Sequence, residues 1–247
     1  MAKLIANRMK VLLTGATGFV GGHIMSHFGA VGHDVDYISH AEFMNEDWSK
    51  LDGNPDAVVH CAWPLSIDLH STEHMEFAEW SCNFLKECSN RGIRVINIGS
   101  SSEYGVKYEP MREDMACEPV NTYGIAKLAV TLFAKNLGYN TLRIFSPHGE
   151  NGKNLRSIMA DLDGKELLLG NPLDRRDYFP VKLVALAVER LIHARHIYGE
   201  IINVCSGMAT VHGDLVDFGE WYKYPQKQYE PSNWQGDTAK MKRLLNL

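Results

Sequence analysis

Residues 9–21 read MKVLLTGATGFVG, a short apolar run that ends in a glycine-rich loop. The run predicts a strand over 10–14, and the apolar spacing over 21–30 predicts a helix directly after the loop. Glycines at 15, 18 and 21 permit a tight turn, a close approach of the backbone to a ligand, and close packing of the helix on the strand. Because the amino end of a helix offers free N–H groups and a positive dipole end, this loop is predicted to bind a diphosphate cofactor.

The rest of the chain alternates between β-branched apolar runs and amphipathic stretches. Strands are predicted at 33–39, 57–62, 94–99, 140–145 and 200–204, and helices at 73–91, 121–137 and 181–193. Such alternation is typical of an α/β fold, so we expect a Rossmann-type, doubly wound parallel sheet that binds ligands beyond the carboxyl ends of its strands. The elements after residue 146 are short and scattered. We therefore expect a dinucleotide-binding domain over 9–146, with returns at about 181–206, and a small, partly interleaved substrate lobe over 147–247.

Composition disfavours several classes of function. The 247 residues carry a formal charge of −5 with a pI near 6.1, so no general attraction to nucleic acid or to an anionic membrane is expected. Five cysteines without CxxC spacing predict neither a disulfide framework nor a zinc knuckle. No apolar run is long enough to cross a membrane and no signal peptide is recognisable, so we expect a cytoplasmic protein. Residues 70–74 match the H-x-x-E-H pattern of some zinc peptidases, but eleven histidines make chance matches easy, and we expect no metal.

Tyr123 and Lys127 stand four residues apart in the second long predicted helix. This spacing puts the phenol and the ammonium on one helical face, one turn apart. A tyrosine with its ordinary pKa of about 10 is a poor acid–base group at neutral pH, and a neighbouring cation lowers that pKa by favouring phenolate. We therefore expect Tyr123 to exchange a proton with a carbinol or carbonyl oxygen. Because the YxxxK spacing is common by chance, this interpretation depends on the surrounding segments.

Several segments together resemble the extended short-chain dehydrogenase/reductases, the NAD-dependent epimerase/dehydratase family. The opening MKVLLTGATGFVG is similar to the family's first strand and loop, and SSSEYG at 100–105 is similar to its SS-x-x-V-Y-G segment. Residues 142–149 (LRIFSPHG) resemble the family's LRYFNVYG, residues 199–207 (GEIINVCSG) its G-x-x-x-N-V-G-S-G, and residues 237–247 (DTAKMKRLLNL) its D-x-S-K-A-x-x-x-L-G ending. The resemblance covers nearly the whole chain.

The resemblance implies a catalytic set of Ser100, Tyr123 and Lys127. The family's active hydroxyl stands four residues before the tyrosine of the serine segment, which is Ser100 here, and it stabilises charge that develops on the substrate oxygen. The cofactor-binding residues expected are Gly15, Thr17, Gly18, Phe19, Val20, Gly21, Ser39, His40, Asp47, Trp48, Cys61, Ala62, Trp63 and Phe145. The substrate-binding residues expected are Ser101, Ser102, Ser146, His148, Arg175 and Arg176. The two arginines belong to a stretch similar to the family's R-D-F-V-H-V, whose arginine helps to hold a nucleotide-sugar diphosphate.

The expected cofactor follows from the end of the second strand. The family carries an acid there that takes the ribose hydroxyls and favours NAD, whereas this chain has Ser39 followed by His40. Because serine and imidazole tolerate a 2′-phosphate better than a carboxylate does, we expect NADP, with NAD as the alternative. Asp36 could supply the acid if the strand ended earlier. The sequence also offers no Arg or Lys at the end of this strand to bind a 2′-phosphate.

The expected reaction follows from what the serine segment lacks. The family's 4,6-dehydratases carry an acid at the position of Ser102, and its epimerase-reductases carry a cysteine, so dehydration and inversion by deprotonation are disfavoured. Glu103 is adjacent, but in an extended segment it points to the opposite side. We expect a reductase that transfers hydride from NADPH to a keto carbon of a nucleotide-linked deoxysugar or a similar carbohydrate. A 4-epimerase with tightly held NAD uses the same residues, and a cofactor-sensing binding module is the alternative from another class. The resemblance also implies a homodimer through the helices at 73–91 and 121–137.

Overall fold

The computed structural model describes residues 8–64, 68–149, 171, 173–211, 214 and 232–247. In this part of the chain the strands are β1 (Lys10–Thr14), β2 (Asp34–Ile38), β3 (Ala57–His60), β4 (Val95–Ser100), β5 (Asn140–Ile144), β6 (Ser146–His148), β7 (Arg175–Arg176), β8 (Tyr178–Pro180), β9 (Ile201–Val204), β10 (Thr210–Val211) and β11 (Asn233–Trp234). The helices are α1 (Phe19–Val31), α2 (His40–Met44), α3 (Glu73–Asn90), α4 (Thr122–Asn136), α5 (Lys182–His193) and α6 (Ala239–Leu245). Much of the expected substrate lobe, including 150–170 and 215–231, lies outside the described residues.

Six parallel strands form the central sheet in the order β2-β1-β3-β4-β5-β9. The chain runs outward from β1 to β2, crosses back over β1 to β3, and then continues towards β9 in the other direction. The strand order therefore reverses between β1 and β3, and sheets of this kind bind ligands in the crevice at that reversal, beyond the carboxyl ends of the strands. The Rossmann-type, doubly wound parallel sheet predicted from the sequence is confirmed.

Helices cover both faces of the sheet. Side chains alternate along a strand, so Val11 and Leu13 belong to the apolar core shared with α1 and α5, whereas Leu12 belongs to the core shared with α3 and α4. Burial on both faces explains why β1, β3 and β4 read as nearly continuous apolar runs. In the described part of the chain, no helix combines the length and apolar character needed to cross a membrane.

The connection between β2 and β3 is short. It contains α2 and a 3-10 turn at Ser49–Gly53, and among the described residues no further strand extends the sheet beyond β2. β2 is therefore an edge strand, paired only with β1.

The buried carboxylate of Asp177 ties the short strands of the lobe to the end of β9. One carboxylate oxygen accepts hydrogen bonds from the backbone and side chain of Ser206, at 2.7 and 2.6 Å, and the other accepts from the Gly207 and Gly236 N–H groups at 2.9 and 3.2 Å. Around this anchor β6 pairs with β8, and β7 lies between β10 and β11. These short strands, which belong to the expected lobe, therefore meet the central sheet at the carboxyl ends of its strands.

Candidate active site

The glycine loop between β1 and α1 forms a cradle for an anion. Gly15 has a φ of +69°, and a Cβ at this position would lie 2.7 Å from the Ala62 nitrogen, so only glycine fits. A Cβ at Gly21 would collide with the Gly15 carbonyl oxygen, because α1 packs directly on the loop. The N-cap of α1 is Gly18, which has no side-chain cap among the described residues, and the first N–H groups of the helix are therefore left for a ligand. These features fit the diphosphate of a dinucleotide.

The end of β3 lies against this loop. The Thr14 hydroxyl is 2.8 Å from His60 Nδ1 and accepts a hydrogen bond from the Ala62 N–H at 3.1 Å. Burial raises the pKa of the Cys61 thiol to about 12, so this thiol is not a nucleophile at neutral pH. The residues expected to contact the cofactor after β1 and after β3 thus form one wall of the crevice.

Glu42 supplies a carboxylate at the end of β2 that the sequence reasoning missed. Ser39 is the N-cap of α2: its hydroxyl accepts a hydrogen bond from the Glu42 N–H at 3.2 Å, and its own N–H donates to the Glu42 carboxylate at 2.6 Å. These two bonds lower the pKa of Glu42 to about 2, so the side chain is ionised. Lys50 Nζ lies 3.2 Å from the same carboxylate and 3.8 Å from Asp36. The spacing Ser-x-x-Glu is the capping-box pattern, and it is the signal that could have located Glu42.

The other residues expected near the adenosine differ from one another in position and in contacts. β2 ends at Ile38, so Asp36 lies within the strand and not at its end. His40 is exposed at the start of α2, and Asp47 accepts a hydrogen bond from a nearby backbone N–H. The Trp48 ring packs edge-on against Phe84 of α3, with 5.6 Å between centroids, so it is partly a core residue.

The three expected catalytic residues come together at the carboxyl end of β4. Ser100 is buried, and its hydroxyl accepts a hydrogen bond from the Ser102 N–H at 3.1 Å and lies close enough to the Tyr123 phenol to lower its pKa. Lys127 stands one turn further along α4, and its buried ammonium donates to the Ile98 carbonyl oxygen at 3.0 Å. The set therefore lies at the edge of the sheet where the crevice opens.

The electrostatics of this set differ from the expectation. Burial raises the pKa of Tyr123, the nearby Ser100 hydroxyl opposes that shift, and the charge of Glu103 adds to it. Burial also lowers the pKa of Lys127 to about 8, with Glu103 acting in the opposite direction. The net shift of the Tyr123 pKa is therefore upward, opposite to the lowering expected from a neighbouring cation, because loss of water around the phenol dominates. Tyr123 is therefore protonated at neutral pH and is placed to donate a proton.

Glu103 lies beneath the active site. Residues 101–103 form a 3-10 turn and not the extended segment assumed above, and the turn directs the carboxylate into the core below Ser100. One oxygen accepts hydrogen bonds from the Ser100 N–H at 2.8 Å and the Thr131 hydroxyl at 2.9 Å, and the other accepts from Arg143 Nε at 2.6 Å. A buried ion pair thus holds the backbone of the serine segment.

Trp63 and His74 complete the wall around Lys127. The Trp63 ring lies 3.9 Å from the Lys127 ammonium, and its indole N–H donates to His74 Nδ1 at 3.3 Å. The His74 ring in turn packs edge-on against Tyr123, with 5.3 Å between centroids. Since Nδ1 accepts, the His74 proton is on Nε2 and is donated to the Asp68 carbonyl oxygen at 3.0 Å. The second histidine of the H-x-x-E-H pattern is therefore engaged on both nitrogens, and no spacing in the sequence revealed its place beside Tyr123.

Four of the expected substrate-binding residues follow β4 and β5. Ser101 and Ser102 are half-buried in the turn directly after Ser100. Ser146 is half-buried and His148 exposed in β6, which follows the buried ring of Phe145. Their contact with a substrate remains a prediction.

Arg175 and Arg176 lie in a different sheet, on β7. The exposed Arg175 donates to the Ala209 carbonyl oxygen at 3.1 Å, and the Arg176 guanidinium lies 4.7 Å from the ring of Trp234. Both side chains are thus held by neighbours within the lobe, and their role in binding a diphosphate also remains a prediction.

Comparison with known proteins agrees with this geometry. A dTDP-6-deoxy-L-talose 4-dehydrogenase (NAD(+)) from Aggregatibacter actinomycetemcomitans is 24% identical over 231 residues, which cover 81% of this chain and 85% of the relative. An uncharacterised UDP-glucose epimerase from Bacillus subtilis (strain 168) is 22% identical in an alignment that is 295 positions long with its gaps and spans 96% of this chain and 92% of that protein. Among solved structures, MoeE5 in complex with UDP-glucose and NAD has the same fold, with a TM-score of 0.84 at 20% identity over 96% of this chain and 92% of that one.

The resemblance inferred from the sequence motifs is confirmed by a match that spans most of the chain. The pattern that defines the NAD dependent epimerase/dehydratase family matches residues 11–205, from β1 to the end of β9. This chain therefore belongs to the NAD dependent epimerase/dehydratase family, and it is a nicotinamide-dependent enzyme of the extended short-chain dehydrogenase/reductase type.

Proposed function

We propose that this enzyme reduces a keto carbon of a nucleotide-linked deoxysugar. The convergence of Ser100 and Tyr123 at the carboxyl end of β4, one helical turn from the buried Lys127, carries the proposal. The relative named as a dTDP-6-deoxy-L-talose 4-dehydrogenase supports a deoxysugar substrate, and the UDP-glucose held by MoeE5 supports a nucleotide sugar.

The chemistry divides between the cofactor and three side chains. When bound, the nicotinamide supplies the hydride that reduces the keto carbon. Ser100 donates a hydrogen bond to the keto oxygen, and the Ser102 N–H keeps the serine oxygen in place. Tyr123 donates its proton to the same oxygen, which becomes a hydroxyl group, and the charge of Lys127 stabilises the phenolate that remains.

A 4-epimerase is the second candidate. The UDP-glucose epimerase relative, which aligns with 96% of this chain, favours it. An epimerase begins by removing a proton from a sugar hydroxyl, so its tyrosine must act as a base, whereas a reductase needs the tyrosine protonated. Burial raises the pKa of Tyr123, which is the direction that suits a proton donor and is the reason that the reductase is placed first.

We propose NAD as the cofactor, in place of the NADP expected from Ser39. The ionised Glu42 is hydrogen-bonded to the first N–H after β2, beside the place where dinucleotide enzymes of this fold bind the adenosine ribose. A 2′-phosphate there would face the carboxylates of Glu42 and Asp36, while Lys50, the cation nearby, is already paired with both. Ribose hydroxyls can instead donate to a carboxylate. The NAD named for the talose dehydrogenase and for MoeE5 supports this choice.

The cofactor proposal is tested by measuring the affinities for NADH and NADPH separately. Glu42→Gln should lower the ratio of the NADPH Kd to the NADH Kd by about tenfold, as expected when one unfavourable charge interaction with the 2′-phosphate is removed. The control Asp34→Asn removes a charge from the amino end of β2, which is the end away from Glu42, and it should leave this ratio unchanged. Equal preferences in Glu42→Gln and the wild type would rule out this role for Glu42.

The reaction is tested on purified protein in two steps. Mass spectrometry of the denatured protein shows whether NAD is retained, and NADH consumption is then followed with dTDP-linked 4-keto-6-deoxysugars. Tyr123→Phe should lower turnover by at least about a hundredfold and leave NADH affinity unchanged, because only the proton donor is lost. The matched control Tyr198→Phe alters an exposed tyrosine at the far end of the sheet and should retain full activity. Stoichiometric retained NAD together with interconversion of UDP-sugars would instead favour the epimerase.

We also propose that the enzyme is a homodimer through α3 and α4. Met75 on α3 and Ile125 and Leu132 on α4 are exposed although they are apolar, and Leu132 leaves 54% of its surface in water. Leu132→Arg should then yield monomers in light-scattering measurements at concentrations where the wild type elutes as a dimer. A wild-type monomer would reject the interface.

A further inference from the structure

Three histidines and one glutamate converge between α1 and α5, at the amino ends of the strands and far from the crevice. His33 lies between the end of α1 and the start of β2, and Glu189 and His193 stand four residues apart on one face of α5. His27 of α1 reaches the same place, with its Nε2 at 2.7 Å from a Glu189 carboxylate oxygen. Neither the glycine loop nor the catalytic set uses any of these four side chains.

The geometry of the cluster is that of incomplete metal ligation. One donor atom from each of His33, Glu189 and His193 lies within 4.8 Å of the other two. His33 is 7% exposed, and its Nε2 has no hydrogen-bond partner among the described residues, whereas its Nδ1 accepts the Met9 N–H at 3.2 Å. A buried nitrogen without a partner requires an explanation, because such groups are nearly always satisfied in folded proteins.

We propose that His33, Glu189 and His193 bind a divalent transition metal, with Zn²⁺ the ion that fits best. Two imidazoles and one carboxylate are a donor set that zinc prefers, and three protein ligands leave the fourth tetrahedral position for water. Zinc bonds of about 2.0–2.1 Å place tetrahedral ligands about 3.4 Å apart, so the donors must close in by roughly 1 Å. The exposed His193 and the half-buried Glu189 can move that far by side-chain rotation.

The neighbours of the cluster suit this role. His27 donates to the Glu189 carboxylate and would orient it, as an outer partner of a metal ligand usually does. Ligation through Nε2 moves the remaining ring proton to Nδ1, and the Met9 N–H then loses its acceptor. Met9 precedes β1, so its N–H is not part of the parallel ladder.

A metal at this position would join α1, the helix that opens at the glycine loop, to α5. Because His33 is distant in the sequence from the other two ligands, no ligand spacing in the sequence indicates the site. The inference is independent of the proposed function, since it concerns neither the crevice nor the reaction.

The experiment uses the full-length chain without an affinity tag and titrates it with Zn²⁺ by calorimetry. We expect one Zn²⁺ per chain and a rise in Tm with Zn²⁺. With Co²⁺ in its place, we expect the visible absorption of a four-coordinate ion. Zinc should also shift the amide resonance of Met9, which a metal bound elsewhere on the surface would not do.

Two variants at the site and one control decide the assignment. His193→Ala alters an exposed side chain and should weaken Zn²⁺ binding by about tenfold or more, and Glu189→Gln should weaken it similarly while it retains an oxygen for His27. His196→Ala removes another exposed histidine three residues further on and should bind as the wild type does. The proposal fails if the wild type binds no Zn²⁺ saturably, or if His193→Ala and His196→Ala have the same affinity.

Discussion

Glu103→Gln tests how the floor of the active site is held together. The carboxylate is 0% exposed, the Arg143 side chain is 2% exposed, and the two form a 2.6 Å hydrogen bond directly below Ser100. Glutamine has the same shape and can still accept from the Ser100 N–H, but its uncharged amide leaves the guanidinium buried without a counter-ion. Removing one partner of a buried pair costs about 3–5 kcal/mol, so we expect the free energy of unfolding to fall by about that amount. For a chain of this size the Tm should drop by about 6–20 °C.

The matched control is Glu118→Gln, which removes the partner of Lys107 from a pair in which the glutamate is 73% exposed. Exposed pairs contribute at most about 1 kcal/mol, so this variant should unfold close to the wild type. Urea denaturation at neutral pH compares the three proteins. The double variant Glu103→Leu, Arg143→Met should be more stable than Glu103→Gln, since it leaves no unpaired charge. If Glu103→Gln and Glu118→Gln unfold at the same urea concentration, the reasoning about the buried pair is refuted.

Three further predictions concern the crevice and its wall. Gly15→Ala should lower NADH affinity by at least about tenfold, because its Cβ would meet the Ala62 backbone, whereas Gly29→Ala, where the space is open, should bind normally; equal affinities in calorimetry would contradict this. Burial lowers the pKa of Lys127 to about 8, so between pH 8 and 10 the unfolded chain holds more protons than the folded one. Over this range the free energy of unfolding of the wild type should therefore rise relative to that of Lys127→Met. A difference between the two proteins that stays constant with pH in urea titrations would count against this reasoning. Trp63→Leu should be less stable than Trp63→Phe by about 1–2 kcal/mol, since only the leucine variant loses the ring over the Lys127 ammonium, and equal denaturation midpoints would exclude that contribution.

The parts of the fold that could be predicted are those that depend on neighbours in the sequence. The six strands of the central sheet and the four long helices follow from apolar periodicity, and their bounds agree with the structure to within about two residues. The glycine loop follows from three spaced glycines after a strand. The doubly wound, parallel arrangement of the sheet also follows, because strands that alternate with helices are joined by crossovers of one hand.

The parts that could not be predicted depend on contacts between distant residues. The Glu103 side chain turns inward because its carboxylate pairs with Arg143 on the neighbouring strand β5. No local sequence pattern contains that pair. The same is true of Trp63, whose ring meets Lys127 only after α4 has packed on the sheet. The pKa of Tyr123 is governed by burial, which a spacing argument leaves out. Glu42 is the exception, since its capping box with Ser39 is written in the sequence.

The position of β2 at the edge of the sheet has a consequence for how the protein behaves in a concentrated solution. An edge strand exposes one row of backbone N–H and C=O groups, which can template the addition of a strand from another molecule. In β2 the exposed positions include Asp34 and Asp36, so a second copy that approached edge to edge would bring like charges together. The two aspartates on β2 therefore oppose edge-to-edge association of two molecules at the strand that the short connection leaves at the edge of the sheet.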